Sequence, residues 1–392
     1  MQSMLKRTWA EINLDNLRHN FKVIKDSVKN GAKIMAVVKA DAYGHGDRYV
    51  SKELEKCGAD WFAVSNIEEA FSLRKSGIKK PILIFGITPI NYVKDLFECN
   101  ITQTVFSKEY AKELNDEAKK QGVSIECHLK LDSGMSRIGF RCDSEDDFLS
   151  AKECYFLSNL KFTGVFTHFA VADENSEMSK DFTKEQFLKF KAFTDKLKEN
   201  GCETGLVHCC NSAGVLSYPE YHLDMVRPGL ILYGLNPSDE CTNDKLLPVM
   251  QLKSVVSMVK TVPADMSVSY GRTFVTAKET KLATVCLGYA DGYPRSLSNR
   301  GEVLVRGHRA KIAGRVCMDQ IIIDVTGIDD VCENDVVTLF GSDKDEFIST
   351  DDLAKLDNTI SYELVCLIGK RVPRLYFKDN KATDFVDVYS NL

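Results

Sequence analysis

Lys39 ends an apolar run, Ile34-Met35-Ala36-Val37-Val38, and the chain passes from it directly into Ala40-Asp41-Ala42-Tyr43-Gly44-His45-Gly46. A strand buried on both faces that delivers an ammonium group at its tip can supply a nucleophilic amine, provided burial and neighbouring cations depress its pKa. Taken alone, a lysine snorkelling from a strand end accounts for the pattern more simply. Three further polar groups have a similar setting. His168 follows Gly164-Val165-Phe166-Thr167, Arg137 follows the stretch LKLDSGMS, and Arg227-Pro228-Gly229 interrupts a late apolar run. In a βα barrel, strand ends and the loops after them carry the catalytic groups, so all four would meet on one rim. Gly44 and Gly46 permit a tight loop. They do not make a dinucleotide fingerprint, and no Walker-type lysine pattern occurs.

The elements that would position these groups are legible as a rhythm. Short apolar runs at 33–38, 61–64, 82–85, 102–105, 125–131, 162–166, 206–208 and 223–233 predict strands. Amphipathic segments separate them: 67–75 after Asn66, 107–121, and 183–200, where Phe187, Phe190, Phe193 and Leu197 share one helical face. Apolar strands alternating with helices argue for parallel βα units. The fold class is therefore α/β, with an N-terminal (β/α)8 TIM-like barrel as the leading architecture and an open doubly wound sheet as the alternative.

After about Leu235 strand-like segments follow one another through short turns, at 249–260, 281–287, 302–305, 310–312, 320–325 and 335–339. Helical patterns return at 350–355 and 359–368. The expected division is a barrel domain over 1–240 and a mostly β C-terminal domain over 241–392. The extended lead Thr8–Ile12 is a candidate to join the second, and Asp15 is expected to cap the helix after it.

Composition narrows the class. The chain has 392 residues, 44% of them hydrophobic and 27% charged, with a net charge of −5. Near-balanced charge offers no basic face for nucleic acid. No apolar run approaches the ~20 residues that cross a bilayer, and the start lacks the apolar segment of a signal peptide. The 13 cysteines are odd in number and irregularly spaced, with contexts such as Cys127, Cys286 and Cys317 that suit reduced, buried thiols. A metal site is not expected, and the expected compartment is the cytoplasm.

Nine motifs then occur in order: AVVKADAYGHG, LKLDSGMSRIGF, FTHFAVAD, NSAG, MVRPGLILYG, SVSYGRTF, LGYADGYPR, GRVCMDQ and SYELVC. Together, from near residue 7 to near residue 376, they resemble the alanine racemase family, pyridoxal 5′-phosphate (PLP) enzymes built as a barrel plus a β domain. The resemblance implies that Lys39 holds PLP and serves as one of two bases at the substrate α-carbon, with Tyr270 as the other. Racemisation removes a proton on one face and returns it on the opposite face, which two bases on either side of the cofactor plane can do. A tyrosine with a pKa near ~10 needs support to act as a base, and His168 is its implied partner. Arg227 would face the ring nitrogen of PLP, with His208 orienting it. Tyr43, Ser212, Gly229, Leu230 and Tyr362 would hold the phosphate. Arg137 would meet the cofactor ring oxygen and the substrate carboxylate. Lys130 matches a position that is carbamylated in many members, although it could equally pair with Asp132.

Tyr270, Tyr289, Met318 and Asp319 fall in the β domain, which in this family completes the barrel site of a partner subunit. A homodimer with shared sites is therefore implied. Tyr270 and Tyr362 would form an inner gate, with Arg295, Arg315 and Ile360 at the constriction behind it. A bulky Met318 favours the methyl group of L- or D-alanine, supplying D-alanine for bacterial peptidoglycan, and leaves serine as a slower substrate. The remaining alternatives are a fold-related decarboxylase and a non-catalytic PLP-binding barrel. The first lacks its cysteine-bearing loop here, and the second would stop after the barrel.

Overall fold

A computed structural model describes residues 7–387, which fall into two compact units. One comprises residues 17–42 and 47–247; the other comprises the N-terminal segment up to Asn16, the short segment Tyr43–Gly46, and everything from Pro248.

The larger unit is a parallel barrel. Its strands run Met225–Val226, Lys33–Val37, Trp61–Val64, Ile82–Ile84, Ile101–Val105, Ile125–Asp132, Leu160–Phe166 and Leu206–His208, each beside the next. Between the last and first, the Asp224 amide donates to Val207 O (3.1 Å) and the Arg227 amide to Cys210 O (3.0 Å), which closes the ring. Hydrophobic runs form these strands because both faces are covered; Met35, Ala36, Phe62, Ala63, Leu83 and Leu129 have no exposed surface. The helices between them start where a polar side chain satisfies a free amide. Asn66, Ser107, Ser144 and Ser176 accept from Glu69, Tyr110, Asp147 and Ser179 respectively.

Several sequence expectations are corrected here. The helix expected over 183–200 extends back to Glu177, because Ser176 caps it ahead of its apolar face. The run 223–233 is not one strand. Only Met225–Val226 is extended, Pro228 has no amide to donate, and Leu230–Tyr233 form a 3-10 turn. The helix Leu14–Ser27 is capped by Asn13 rather than Asp15, its Oδ1 accepting from the amides of Asp15 (2.9 Å) and Asn16 (3.0 Å).

The smaller unit is a largely antiparallel sheet. Strand Val336–Asp343 pairs with both Glu302–Val305 and Met250–Val262, so the sheet curls back on itself. The lead strand Trp9–Asn13 lies antiparallel to Met250–Val262 and parallel to Arg374–Lys378. A terminal hairpin, Arg374–Lys378 and Lys381–Val386, was not legible as strands. Its turn is made by Asp379 and Asn380, both at positive φ (51° and 57°), the geometry that matches strand twist. Trp9, Val255 and Leu375 form a small core with Phe377 and Phe385 packed against it.

Gly44 and Gly46 belong to this unit and could be nothing else. Their φ values are +78° and +91°, and an added Cβ would lie 2.3 Å from Val365 O and 1.8 Å from the Tyr376 hydroxyl. The Tyr376 hydroxyl donates to His45 O, and the buried Arg374 guanidinium donates to Gly44 O, Ile368 O, Gly369 O and Val372 O.

Candidate active site

In the barrel, Lys39 is half-buried just beyond strand Lys33–Val37. The amides of Val37 and Val38 donate to Pro228 O and Ala63 O, so the strand end is held on both sides. The next four residues, Ala40 to Tyr43, all lie in the left-handed region, with φ between 52° and 54°. None is glycine, so the turn carries strain of about 1–2 kcal/mol per residue. Glu69 offsets part of it, its carboxylate accepting from the amides of Ala40 and Ser65 at 2.7 Å each. Neither this turn nor Glu69 was legible in the sequence, since Ala-Asp-Ala carries no left-handed signal.

Arg227 is buried, and its hydrogen-bond partners are all neutral. It donates to His208 Nδ1 (3.0 Å), Thr167 O (2.8 Å) and Cys209 O (3.0 Å). Burial brings its pKa down to about 10. His208 is stacked on Phe166, ring centroids 5.0 Å apart. Lys130 is also buried; its Nζ donates to Leu131 O (2.5 Å) and Ile138 O (3.2 Å). Asp132 is not its ion-pair partner, because Oδ1 of Asp132 takes the amides of Gly134 (2.9 Å) and Ser136 (3.1 Å) and so shapes the loop leading to Arg137. Burial, then Arg227 and Arg137, bring Lys130 down to about 8 against the opposing pull of Asp132.

His168 reports how these groups converge. Burial comes first, and then Arg227, Arg137, Lys130 and Lys39 together hold it well below an ordinary imidazole. It is therefore neutral near pH 7, with four cations about it. Close by in the same unit, Ser212 Oγ accepts from the Gly229 amide (2.9 Å), the residue before Leu230. The donor set, cationic with a guanidinium whose partners are all neutral, suits a ligand carrying phosphate and carboxylate groups on a planar ring.

The β unit gathers the other expected residues. Tyr43, Tyr362 and Cys366 are neighbours, and burial holds the Tyr43 phenol far above its usual range, so it acts as an O–H donor. Ser269 (φ 63°) and Gly271 (φ 70°) bracket Tyr270, which is 69% exposed. The Ser269 hydroxyl donates to Arg315 O (2.6 Å), and a Cβ on Gly271 would lie 2.8 Å from the Arg315 guanidinium. The amides of Tyr289 and Ala290 donate to Cys317 O and Met318 O, both at 3.0 Å. Asp319 pairs with Arg371 (2.6 Å), which also holds the fully buried Asp291. The Ser298 hydroxyl, at the end of the turn Arg295–Leu297, accepts from the Val316 amide. Ile360 stands at the head of helix Ser361–Leu367. Lys39 and Tyr270 thus belong to different units.

The chain thus combines a parallel barrel whose strand ends gather cations, the place where barrel enzymes carry their catalytic groups, with a separate β unit. Comparison with known proteins narrows the class. Residues 12–237 match the family described as alanine racemase, N-terminal domain, and residues 249–376 match alanine racemase, C-terminal domain. An alanine racemase of Clostridium perfringens is 43% identical over 389 residues, covering 99% of this chain and 100% of that one. The solved alanine racemase of Clostridium difficile 630 superposes with a TM-score of 0.91 at 41% identity, over 97% of this chain and 98% of that one. The alanine racemase of Bacillus anthracis with bound L-Ala-P gives a TM-score of 0.91 at 36% identity, over 99% of each chain. The chain belongs to the alanine racemase family.

Proposed function

We propose that this chain interconverts L- and D-alanine, using PLP held at the barrel rim and completed by a second subunit. The observation that carries the reading is the match to both alanine racemase domains over residues 12–237 and 249–376, with Lys39, Arg137, His168 and Arg227 together in the barrel unit. When bound, PLP withdraws electrons from the substrate α-carbon and so makes its proton removable. Lys39, Tyr43, Arg137, His168, Ser212, Arg227, Gly229, Leu230 and Tyr362 would hold it. Lys39 Nζ takes or returns the α-proton on one face, and the Tyr270 phenol oxygen does so on the other. Arg227 can only donate, so it leaves the cofactor's ring nitrogen without a proton and limits how far charge is drawn into the ring. His208 orients Arg227, Arg137 takes the substrate carboxylate, and Met318 restricts the side-chain pocket to a methyl group. Arg295, Arg315, Ile360, Tyr289 and Asp319 line the approach.

Support for a homodimer lies in the exposure of Tyr270 (69%), Met318 (52%) and Ile360 (46%), apolar surface that a partner's barrel would cover. We assign the barrel domain to 1–240 and the β domain to 241–392 with the lead strand added, in keeping with the unit break between Leu247 and Pro248. Thirteen cysteines without a regular pairing pattern favour the cytoplasm. No helix among the described residues is long and apolar enough to cross a membrane. In a bacterium the product would serve peptidoglycan synthesis.

The reading is tested by chiral product analysis of PLP-loaded protein. Either enantiomer of alanine should end as an equal mixture, with serine slower by about 10- to 200-fold. Loss of the α-carboxylate as carbon dioxide, or no exchange of any amino acid, would replace it.

Lys130 carries a second expectation. An amine with a pKa of about 8 is half neutral near pH 8, and carbon dioxide adds only to the neutral form. Conversion to a carbamate would turn one of the four cations into an anion beside Arg137. Protein equilibrated with 13C-bicarbonate should show a carbamate carbon that Lys130→Arg lacks and that fades as pH falls from about 8 to about 6. No such signal at pH 8 would leave Lys130 a plain amine.

A further inference from the structure

Behind Arg227 lies a row of imidazoles in which every hydrogen has one allowed place. His208 Nδ1 is 3.0 Å from Arg227 Nη1, and His208 Nε2 is 3.0 Å from Nδ1 of the fully buried His128. A guanidinium only donates, so His208 must accept at Nδ1. Burial and the Arg227 charge keep both imidazoles neutral. A neutral His208 that accepts at Nδ1 carries its hydrogen on Nε2 and donates to His128 Nδ1. His128 then carries its own hydrogen on Nε2, a buried atom with no hydrogen-bond partner among the described residues. The opposite direction fails, because a hydrogen on His208 Nδ1 would face the Arg227 N–H head-on.

The backbone is built to place that ring. His128 pairs with Gly164 in the parallel strand beside it, and the register slips there because Thr163 is an extra residue. Bulges of this kind re-aim side chains near functional sites. A Cβ on Gly164 would lie 2.5–2.7 Å from three atoms of the His128 imidazole, so only glycine leaves room. Trp61 covers the ring from another side, centroids 5.2 Å apart.

We propose that His128 is a positioning residue for the reaction: by accepting the hydrogen that Arg227 forces onto His208 Nε2, it anchors the His208 ring from behind and through it the orientation of Arg227. The proposal rests on the PLP reading for its catalytic consequence and on hydrogen-bond geometry and burial for the tautomer. His128→Phe removes the acceptor at similar size, whereas Asn in His128→Asn keeps an amide oxygen near the position of Nδ1.

Long-range 1H–15N spectra of cofactor-free, 15N-histidine-labelled protein read the tautomers directly. Wild-type His208 should show a protonated Nε2 and a bare Nδ1. In His128→Phe the Nε2 hydrogen loses its acceptor, so its 1H and 15N signals should shift and the ring should lose its single orientation. After PLP loading, the same variant should show a displaced visible absorption maximum and a kcat lowered about tenfold, KM moving less than about twofold, with His128→Asn close to wild type. A wild-type His208 carrying its hydrogen on Nδ1 overturns the proposal without any variant. So does a His128→Phe protein whose His208 Nε2–H signals and absorption maximum match the wild type. Protein that takes up no PLP would sink the functional reading alone, because the tautomer is measured without cofactor.

Discussion

Lys39→Ala is expected to abolish both racemisation and the visible absorbance of lysine-bound PLP. The side chain lies just beyond strand Lys33–Val37, whose position is set by bonds from Val37 and Val38 to Pro228 and Ala63. Losing a proton-transfer group alone costs about 10²–10⁴ in rate, and here the covalent hold on the cofactor goes with it. A fall of about a thousandfold or more in kcat/KM is therefore expected. The cofactor-free protein should still melt cooperatively, because the side chain lies beyond the end of strand Lys33–Val37 and the backbone bonds of that strand are untouched. Absorbance spectra and thermal melts of the variant check both halves. A visible band of wild-type intensity would end the assignment of Lys39.

Tyr270→Phe should cripple interconversion while leaving the cofactor bound. Only a hydroxyl is lost, from a side chain that is 69% exposed, so a stability change within about 0.5 kcal/mol is expected. The rate should fall by about 10²–10⁴, since one face of the α-carbon loses its base. Full activity in both directions would remove Tyr270 from the chemistry. Mixing the two inactive proteins tests the shared site. A heterodimer of Lys39→Ala and Tyr270→Phe chains would carry one site with both bases, so random exchange should restore about a quarter of wild-type activity. Proven heterodimers with no recovery would place both bases on one chain.

Particular residues mark how much of this was legible in the sequence. Apolar runs bounded by turn formers disclosed most barrel strands, since burial on both faces demands them. The run 223–233 misled because Leu230–Tyr233 is equally apolar as a 3-10 turn, and hydrophobicity does not distinguish the two. The terminal hairpin escaped because its outer strand, Lys381–Val386, has no buried residue and so carries no continuous apolar run. Lys39, Arg137, His168 and Arg227 stood out as polar groups at strand ends. His128 did not, although it sits two residues before Lys130 in the same strand and so shares its side of the sheet. A lone buried histidine acquires a role only beside His208, 80 residues away along the chain.

The amino-acid sequence by itself determined the alternation of strands and helices, the change of grammar near Leu235, the ordered motifs and the identity of the groups available for chemistry. These follow from local propensity and side-chain type, which need no partner to be read. Only the tertiary structure decided that Arg227 has neutral partners alone, that Lys130 approaches pH 8 in its titration, and that the chain runs left-handed for four residues after Lys39. Desolvation, the direction of a hydrogen bond and backbone strain each depend on which distant groups packing brings within a few ångströms. None of them is a property of a residue on its own.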